Sequence, residues 1–230
     1  MTFLEAQKEL CRRLNISFED INNNPLFSLE DIKAWINLAV KRAWDYARWI
    51  FSEEAVYTQT SSEEYYDYPE NFVSDSIRIL KVEQDDGKMA IYEKITFDDY
   101  QKYREEYPDG KDKVFSDYQR FYFINPNTFS GAGKRIEIWG KKRAPKLVND
   151  DDLLPFSPDS KDEENSGNEA IVKLAYSIAL GSEKKKDKTR AVIEEKEAYA
   201  MLDVIATREL GEQAQYKTKN REFFEIPRFF

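Results

Sequence analysis

The sequence contains no histidine and a single cysteine, Cys11, among its 230 residues. Without histidine there is no Ser-His-Asp or Cys-His nucleophile pair, no H-E-x-x-H zinc site and no imidazole general base. One cysteine excludes an internal disulfide framework and an all-thiolate metal cage. Carboxylates or lysine remain as catalytic groups, but the missing residues favour a protein that is not an enzyme and binds no cofactor or metal.

The sequence also lacks long apolar runs and a surplus of basic residues. No run approaches the roughly 18 apolar residues of a membrane-spanning helix, and the charged start "MTFLEAQKELCRRL" has no apolar signal-peptide core. We therefore expect a soluble protein of a reducing compartment, without membrane contact. The formal net charge of −9 argues against a protein that grips nucleic acid, although it suits one that lines a passage for it.

Apolar residues spaced by about 3.6 positions predict four long helices. Two of them begin with a capping box, Ser28 with Asp31 and Ser166 with Glu169. Gly211 is expected to end the last one. The four predicted helices cover residues 2–14, 29–50, 166–182 and 188–210.

Alternation of apolar and polar residues replaces the helical pattern between the second and third long helices. The turn "QDDG" is typical of a hairpin, and Thr96 begins a short helix that ends before "YPDG". We therefore predict that this stretch forms a small β-rich unit. Its strands are predicted within 53–60, 63–69, 76–83, 88–95, 117–126 and 134–143.

The predicted fold class is α+β and mainly helical. Short turns between neighbouring helices favour antiparallel packing, so we expect a four-helix bundle with a β-rich insertion between helices 2 and 3 and an extended C-terminal tail. The predicted domains are the first half of the bundle (1–53), the β-rich insertion (54–143), an acidic loop (144–165), the second half of the bundle (166–212) and a docking tail (213–230).

The stretch "KNREFFEIPRFF", residues 219–230, is far more apolar than the rest of the sequence. Burying one phenylalanine side chain contributes about 1.5–3 kcal/mol, so we expect another surface to cover it. Packing on the chain's own helices is the alternative to docking on a partner as an extended or strand-adding peptide, which we favour. The predicted docking residues are Arg221, Phe223, Phe224, Ile226, Pro227, Arg228, Phe229 and Phe230.

The acidic loop offers carboxylates for a divalent metal ion. Asp150, Asp151 and Asp152 are consecutive, however, and alternate side chains of an extended chain face apart. The spacing of an EF-hand is not met either. A solvated loop is therefore the favoured interpretation, and the alternative is a metal-dependent nuclease subunit that uses these aspartates and Glu163.

Residues 36–82, "INLAVKRAWDYARWIFSEEAVYTQTSSEEYYDYPENFVSDSIRILKV", are similar to the head-to-tail adaptor (connector) proteins of tailed bacteriophages. Members of that family commonly show a helix ending in an aromatic cluster, a strand rich in threonine, a tyrosine-bearing strand and then an apolar strand. The late helix "EAIVKLAYSIAL" and a long closing helix also suit the family. The matching residues are Trp44, Trp49 and Phe51 in the cluster, Tyr66, Pro69 and Phe72 around the tyrosine-bearing strand, and the apolar strand 77–82.

The resemblance implies a structural virion protein with no active site. Such adaptors form a closed ring of about twelve copies, a dodecamer, beneath the portal of a DNA-filled capsid. The ring extends the DNA channel, its closing helix and tail meet the portal, and it assembles in the cytoplasm of the bacterial host. The implied partners are other copies of the chain, the portal protein, the tail or next ring protein, and genomic DNA that passes without specific binding. A tail-completion or stopper ring is the alternative in the same structural class.

Overall fold

A computed structural model describes residues 1–156 and 166–219 of the chain, which form two compact units. The helical unit consists of Met1–Trp49 and the described residues from Ala144 onward, and the sheet unit is Ile50–Arg143. None of the helices in the described ranges combines the length and the hydropathy that a membrane crossing requires.

The sheet unit holds all the named strands and one helix, and the other helices belong to the helical unit. The helices are α1 (Phe3–Arg13), α2 (Leu29–Tyr46), α3 (Phe97–Glu106), α4 (Ser166–Gly181) and α5 (Lys188–Lys219). The strands are β1 (Glu53–Gln59), β2 (Tyr65–Asp67), β3 (Ile79–Glu83), β4 (Met89–Lys94), β5 (Val114–Tyr118), β6 (Phe121–Ile124) and β7 (Arg135–Lys141).

Capping boxes start the first two helices. The Ser28 hydroxyl accepts a hydrogen bond from the backbone N–H of Asp31 at 3.2 Å, and the Asp31 carboxylate accepts one from the Ser28 N–H at 2.8 Å. Thr2 and Glu5 form the same reciprocal pair at the start of α1. These contacts satisfy N–H groups that have no partner inside a helix. The box predicted at Ser28 is thereby confirmed.

Helix α4 lies at the centre of the helical unit. It packs against α1, α2 and α5, and it is buried over most of its circumference because its apolar residues are not confined to one stripe. Ion pairs link it to two neighbours, Glu169 with Arg13 of α1 and Lys173 with Glu197 of α5. Its fully buried side chains include Ala170, Ile171, Val172, Leu174, Ala175 and Ala179.

The strands form one seven-stranded sheet in the order β1-β7-β3-β4-β5-β6-β2. All neighbours are antiparallel except β4 and β5, which are parallel and are connected through α3. Strands β1 and β2 follow each other in the chain but form the two opposite edges, and the sheet curls so that both edges line one cleft. The buried core comprises Phe72, Ile77, Leu80, Val82, Tyr92, Phe115, Tyr122, Ile124, Ile136 and Ile138.

The expected fold class, mainly helical with a four-helix bundle, is wrong. The chain is a β-rich α+β fold and not a four-helix bundle, because the seven-stranded mixed sheet has an apolar core of its own. A long connection, residues 14–28, joins α1 to α2 and buries Ile21 and Phe27, where a bundle would have a short turn. Periodicity identifies the apolar stripe of each helix but not the element that covers it.

Three element boundaries also differ from the sequence predictions. Helix α2 ends at Tyr46, earlier than predicted, because the next residue, Ala47, is extended. Helix α5 continues past Gly211 to Lys219, since one glycine inside a helix costs only about 1 kcal/mol relative to alanine. Strand β5 is separate from β6, whereas the pattern indicated a single strand there.

The buried thiol of Cys11 provides a test of the helical unit. The side chain is fully buried on α1, and this burial raises the pKa of the thiol to about 11. Both effects protect it, because an alkylating reagent needs access and reacts with the thiolate. We expect iodoacetamide at mildly alkaline pH to leave the native protein unlabelled and to label it fully in concentrated guanidinium chloride, as measured by intact mass.

A Cys11→Ser variant serves as the control and should stay unlabelled under both conditions. Equal labelling rates with and without denaturant would contradict the buried position.

Candidate docking site

The consecutive aspartates of the acidic loop stabilise a turn and the start of α1. The Asp152 carboxylate accepts hydrogen bonds from the N–H groups of Val148 and Asn149 at 2.7 and 2.9 Å, and these bonds lower its pKa. The backbone carbonyls of Asp150 and Asp152 accept hydrogen bonds from the first two N–H groups of α1. Helix starts leave such donors without an intrahelical partner, so the segment has a structural role.

These aspartates do not converge on a common point. The Asp150 carboxylate lies 3.8 Å from the Lys33 ammonium and accepts a hydrogen bond from the Gln7 amide at 3.4 Å. Within residues 1–156 and 166–219, no group of three or more acidic or cysteine side chains is placed to hold a metal ion. Glu163, the remaining carboxylate of the nuclease hypothesis, lies outside the described residues.

The predicted docking residues Arg221, Phe223, Phe224, Ile226, Pro227, Arg228, Phe229 and Phe230 also lie outside the described residues. The described part of the chain presents two apolar surfaces on which another polypeptide could dock. One is the cleft between the sheet edges, and the other is an exposed stripe on α5.

Strand β1 leaves one of its sides open. Thr60 donates its N–H to the carbonyl of Lys134 at 2.8 Å, next to the register that pairs β1 with β7. Hydrogen-bonded positions alternate along an antiparallel pair, so the even-numbered residues 52–60 bond towards β7. Among the described residues, no strand lies on the other side of β1. The residues whose N–H and C=O groups point to that side are Ala55, Tyr57 and Gln59.

Strand β2 is open in the same way at the opposite edge. Tyr68 donates its N–H to the carbonyl of Arg120 at 2.7 Å, which continues the pairing of β2 with β6. By the same alternation, the backbone groups of Tyr65 and Asp67 point away from β6. No strand of the described ranges pairs with them.

The cleft between β1 and β2 has a floor of aromatic and aliphatic side chains. Its volume is about 590 Å³. Tyr66 and Tyr122 stack on the floor with ring centres 5.2 Å apart, and Val56 and Ile138 adjoin them. Tyr65 stands at the mouth with about half of its side chain exposed, 49%. The cleft therefore offers apolar surface beside backbone groups that can form hydrogen bonds.

The rim of the cleft is acidic. Glu63, Asp67 and Glu70 contribute carboxylates, and no lysine or arginine stands among its described lining residues. The nearby Arg135 guanidinium lies over the Tyr57 ring, 4.4 Å from its centre. The cleft therefore favours a peptide that carries positive charge beside its apolar residues.

The outer face of β2 carries a second set of aromatic rings, the outer aromatic patch. The Tyr65 ring meets the Phe121 ring edge to face with ring centres 5.4 Å apart, and its centre lies 6.4 Å from that of the Phe123 ring. The Phe97 ring of α3 stacks on the Tyr118 ring with centres 4.5 Å apart, and its centre lies 5.0 Å from that of the Phe123 ring. Strand β2 is therefore an open edge with aromatic surface on both of its faces.

The connection between β1 and β2 is anchored on α3. The Glu64 carboxylate accepts hydrogen bonds from the Tyr100 hydroxyl at 2.7 Å and from the Arg104 guanidinium at 2.9 Å. Burial, and secondarily the Glu64 carboxylate, raises the pKa of Tyr100, so its hydroxyl stays a donor at neutral pH. The anchor holds the β1–β2 connection in place beside the cleft.

The α5 stripe consists of Ile193, Ala200 and Val204, which share one side of the helix. Their spacing of seven and four residues keeps them in line along the axis. Ile193 and Val204 are 52% and 60% exposed, although the sequence placed the apolar residues of this helix on a bundle face. An exposed apolar line of this kind is typical of helix-to-helix contact with another chain.

Sequence reasoning treated Tyr57, Tyr65 and Tyr66 as strand residues and did not connect them with a site. The available signal was Glu63, Glu64 and Asp67, which flank Tyr65 and Tyr66 in the sequence, since charged side chains are typical of edge strands. The cleft itself needs both edges of the sheet together, which local patterns do not encode.

One family model matches the chain over residues 1–220, and its description is SU10 adaptor protein. The match includes every described helix and strand of both units. None of the curated proteins matches the chain.

The anchor of the β1–β2 connection predicts a loss of stability on removal of one hydroxyl. Tyr100→Phe removes a hydrogen bond from a buried hydroxyl to the charged Glu64 carboxylate, so we expect the free energy of unfolding to fall by about 1–2 kcal/mol. The measurement is the urea midpoint at an unchanged m-value. Tyr118→Phe, at a half-exposed ring, is the matched control and should change little. An unchanged midpoint for Tyr100→Phe would refute the anchor.

Proposed function

Because the chain belongs to the SU10 adaptor protein family, a family of phage head-to-tail adaptors, we propose that it assembles into a ring that joins the capsid portal to the tail and extends the DNA channel. The family establishes a structural phage protein of the virion that interacts with other head and tail proteins, and it is not a family of enzymes. The match over residues 1–220 carries the proposal, because it spans both units.

Two unlike surfaces on one subunit support a ring. A contact between two different patches is heterologous, and its repetition closes into a ring when the rotation allows. The cleft lies on the sheet unit and the α5 stripe on the helical unit, so one subunit offers two different surfaces to its neighbours. A two-fold dimer through one self-complementary patch would leave the other patch exposed.

The charge of the subunit suits a channel through which DNA passes. Each copy carries a formal charge of −9, and a ring of about twelve copies multiplies this charge around one axis. DNA binding releases counterions only where basic residues meet phosphates, so an acidic wall does not retain the DNA. The genome therefore passes through the channel without being bound by its wall.

The predicted tail forms part of the proposal as a docking segment, which begins after α5 ends at Lys219. Its phenylalanines are too apolar to remain in water without cost, and the residues from Arg221 to Phe230 are proposed to bind another chain of the assembly. Each copy would then donate one segment to another chain, in addition to the two surfaces, the cleft and the α5 stripe, on which other chains can dock.

The assembly state tests the proposed function directly. We expect mass photometry of the purified full chain, alone or after addition of portal rings, to show a discrete oligomer of about twelve copies. The portal complex should contain one such ring. A chain that stays monomeric under both conditions would overturn the proposed function.

The α5 stripe predicts which substitutions weaken the ring. Ile193→Glu combined with Val204→Glu places two charges in the proposed helix contact, where burial of a charge without a partner is costly. On dilution, we expect the variant oligomer to dissociate at a protein concentration at least tenfold higher than the concentration at which the unsubstituted oligomer dissociates.

Val148→Glu is the matched control, because Val148 is 62% exposed and lies outside α5. The control should assemble normally, and circular dichroism should show that all variants are folded. Normal assembly of the doubly substituted α5 variant would exclude the stripe from the ring contact.

A further inference from the structure

We propose that the cleft between β1 and β2 binds residues 220–230 of a second copy of this chain, as an extended peptide that adds a strand to the open edge of β2. The inference rests on the proposed ring and names the surface that receives the docking segment. It goes beyond the family, because it follows from the open edges and the composition of this sequence.

The open backbone groups provide the first reason. Tyr65 and Asp67 on β2, and Ala55 and Tyr57 on β1, direct N–H and C=O groups away from their own strand partners. An extended peptide can pair with such groups, which is the basis of recognition by strand addition. Open edges beside apolar surface otherwise invite uncontrolled association, so proteins commonly cover them.

The aromatic surface on both faces of β2 provides the second reason. A strand beside β2 would direct alternate side chains to the cleft floor and to the outer aromatic patch. It therefore needs apolar residues on both of its faces, unlike an ordinary edge strand. Phe223 and Phe224 supply one apolar side chain to each face, Ile226 continues the face of Phe224, and Glu225 follows Phe223 on the other face.

The length of the apolar run fits the edge that it would join. Strand β2 spans Tyr65–Asp67, and Phe223–Ile226 precedes Pro227, which has no N–H to donate. Proline is tolerated at the end of an edge strand, so pairing would stop there. The cleft volume of about 590 Å³ lies within the range of roughly 300–1,000 Å³ typical of binding pockets.

Two arginines of the segment can pair with the rim. The rim carries Glu63, Asp67 and Glu70, and Arg221 and Arg228 flank the phenylalanines, while Glu222 and Glu225 balance their charge. Pairs at such a rim contribute modest affinity, but they favour one orientation of the bound peptide.

The length of α5 favours a second copy as the source of the segment. Helix α5 has 32 residues and α4 has 16. At a rise of about 1.5 Å per residue, α5 extends roughly 24 Å beyond the helix it packs against. Helix α5 therefore ends, at Lys219, beyond the part of it that can pack alongside α4. A tail-to-cleft contact is heterologous and can repeat around a closed ring.

Cross-linking between differently tagged full-length chains tests the proposal. One chain carries Glu225→Cys in the segment and the other carries Glu63→Cys on the rim, both with Cys11→Ser. We expect a short bismaleimide to produce a mixed dimer in the assembled ring. Glu105→Cys, an exposed position on α3, replaces the rim cysteine in the control and should link at least tenfold less. Adding Phe224→Asp to the segment should reduce the specific link by a similar factor.

The outcomes separate this inference from the proposed function. A ring that forms without the rim link overturns the cleft as the receiving surface and leaves the ring intact. A link found only within one chain, in a protein carrying both cysteines, or only to added portal protein also overturns it. A chain that forms no oligomer at all overturns both the proposed function and this inference.

Discussion

The sheet unit depends on one constraint, the short connection between two strands that lie at opposite ends of the strand order. The stretch from Gln59 to Tyr65 can extend at most roughly 21 Å. A flat sheet of seven strands would hold its outer strands roughly 29 Å apart. The connection can therefore be made only if the sheet curls, and the curl both encloses the core and places the two edges on either side of one cleft.

A curled sheet that closed completely would have no edges, and that is how many small barrels avoid association. Here the two edges stay open beside an apolar floor, and the hydrogen bonds of Glu64 to α3 hold their connection. In the proposed ring this opening is the docking surface for a peptide of another chain. Backbone pairing would supply affinity there, while the tyrosines and the acidic rim would select what can bind.

The sequence predicted the features of this fold that are local and missed those that are not. The Ser28 cap, most strands and the helix at Thr96 follow from neighbours a few residues apart, and the resemblance read from residues 36–82 is confirmed by the family match. The four-helix bundle was wrong because a stripe on a helix does not name its partner, and α4 has apolar residues on nearly every side. The cleft was missed for the same reason, because a local pattern does not identify distant partners. The order of strands in the sheet brings β1 and β2 together, and the alternation of apolar and polar residues along each strand carries no information about that order. The composition of residues 221–230 indicated a docking segment, but no pattern in it identifies the receiving surface.

The order of pairing along the chain also governs how the protein is made. Strand β1 pairs with β7, and α1 and α2 pack on α4. In each unit, the elements that are translated first therefore pair with elements that are translated much later. At about 5–20 residues per second, roughly 4–15 s separate the synthesis of β1 from that of β7. During this interval both edges of β1 lack a partner strand on the ribosome, where nascent chains on one messenger lie close together. The sheet unit can mature once β7 has been translated, whereas the helical unit must wait for α4 and α5, so the apolar faces of α1 and α2 stay without their partner for longest.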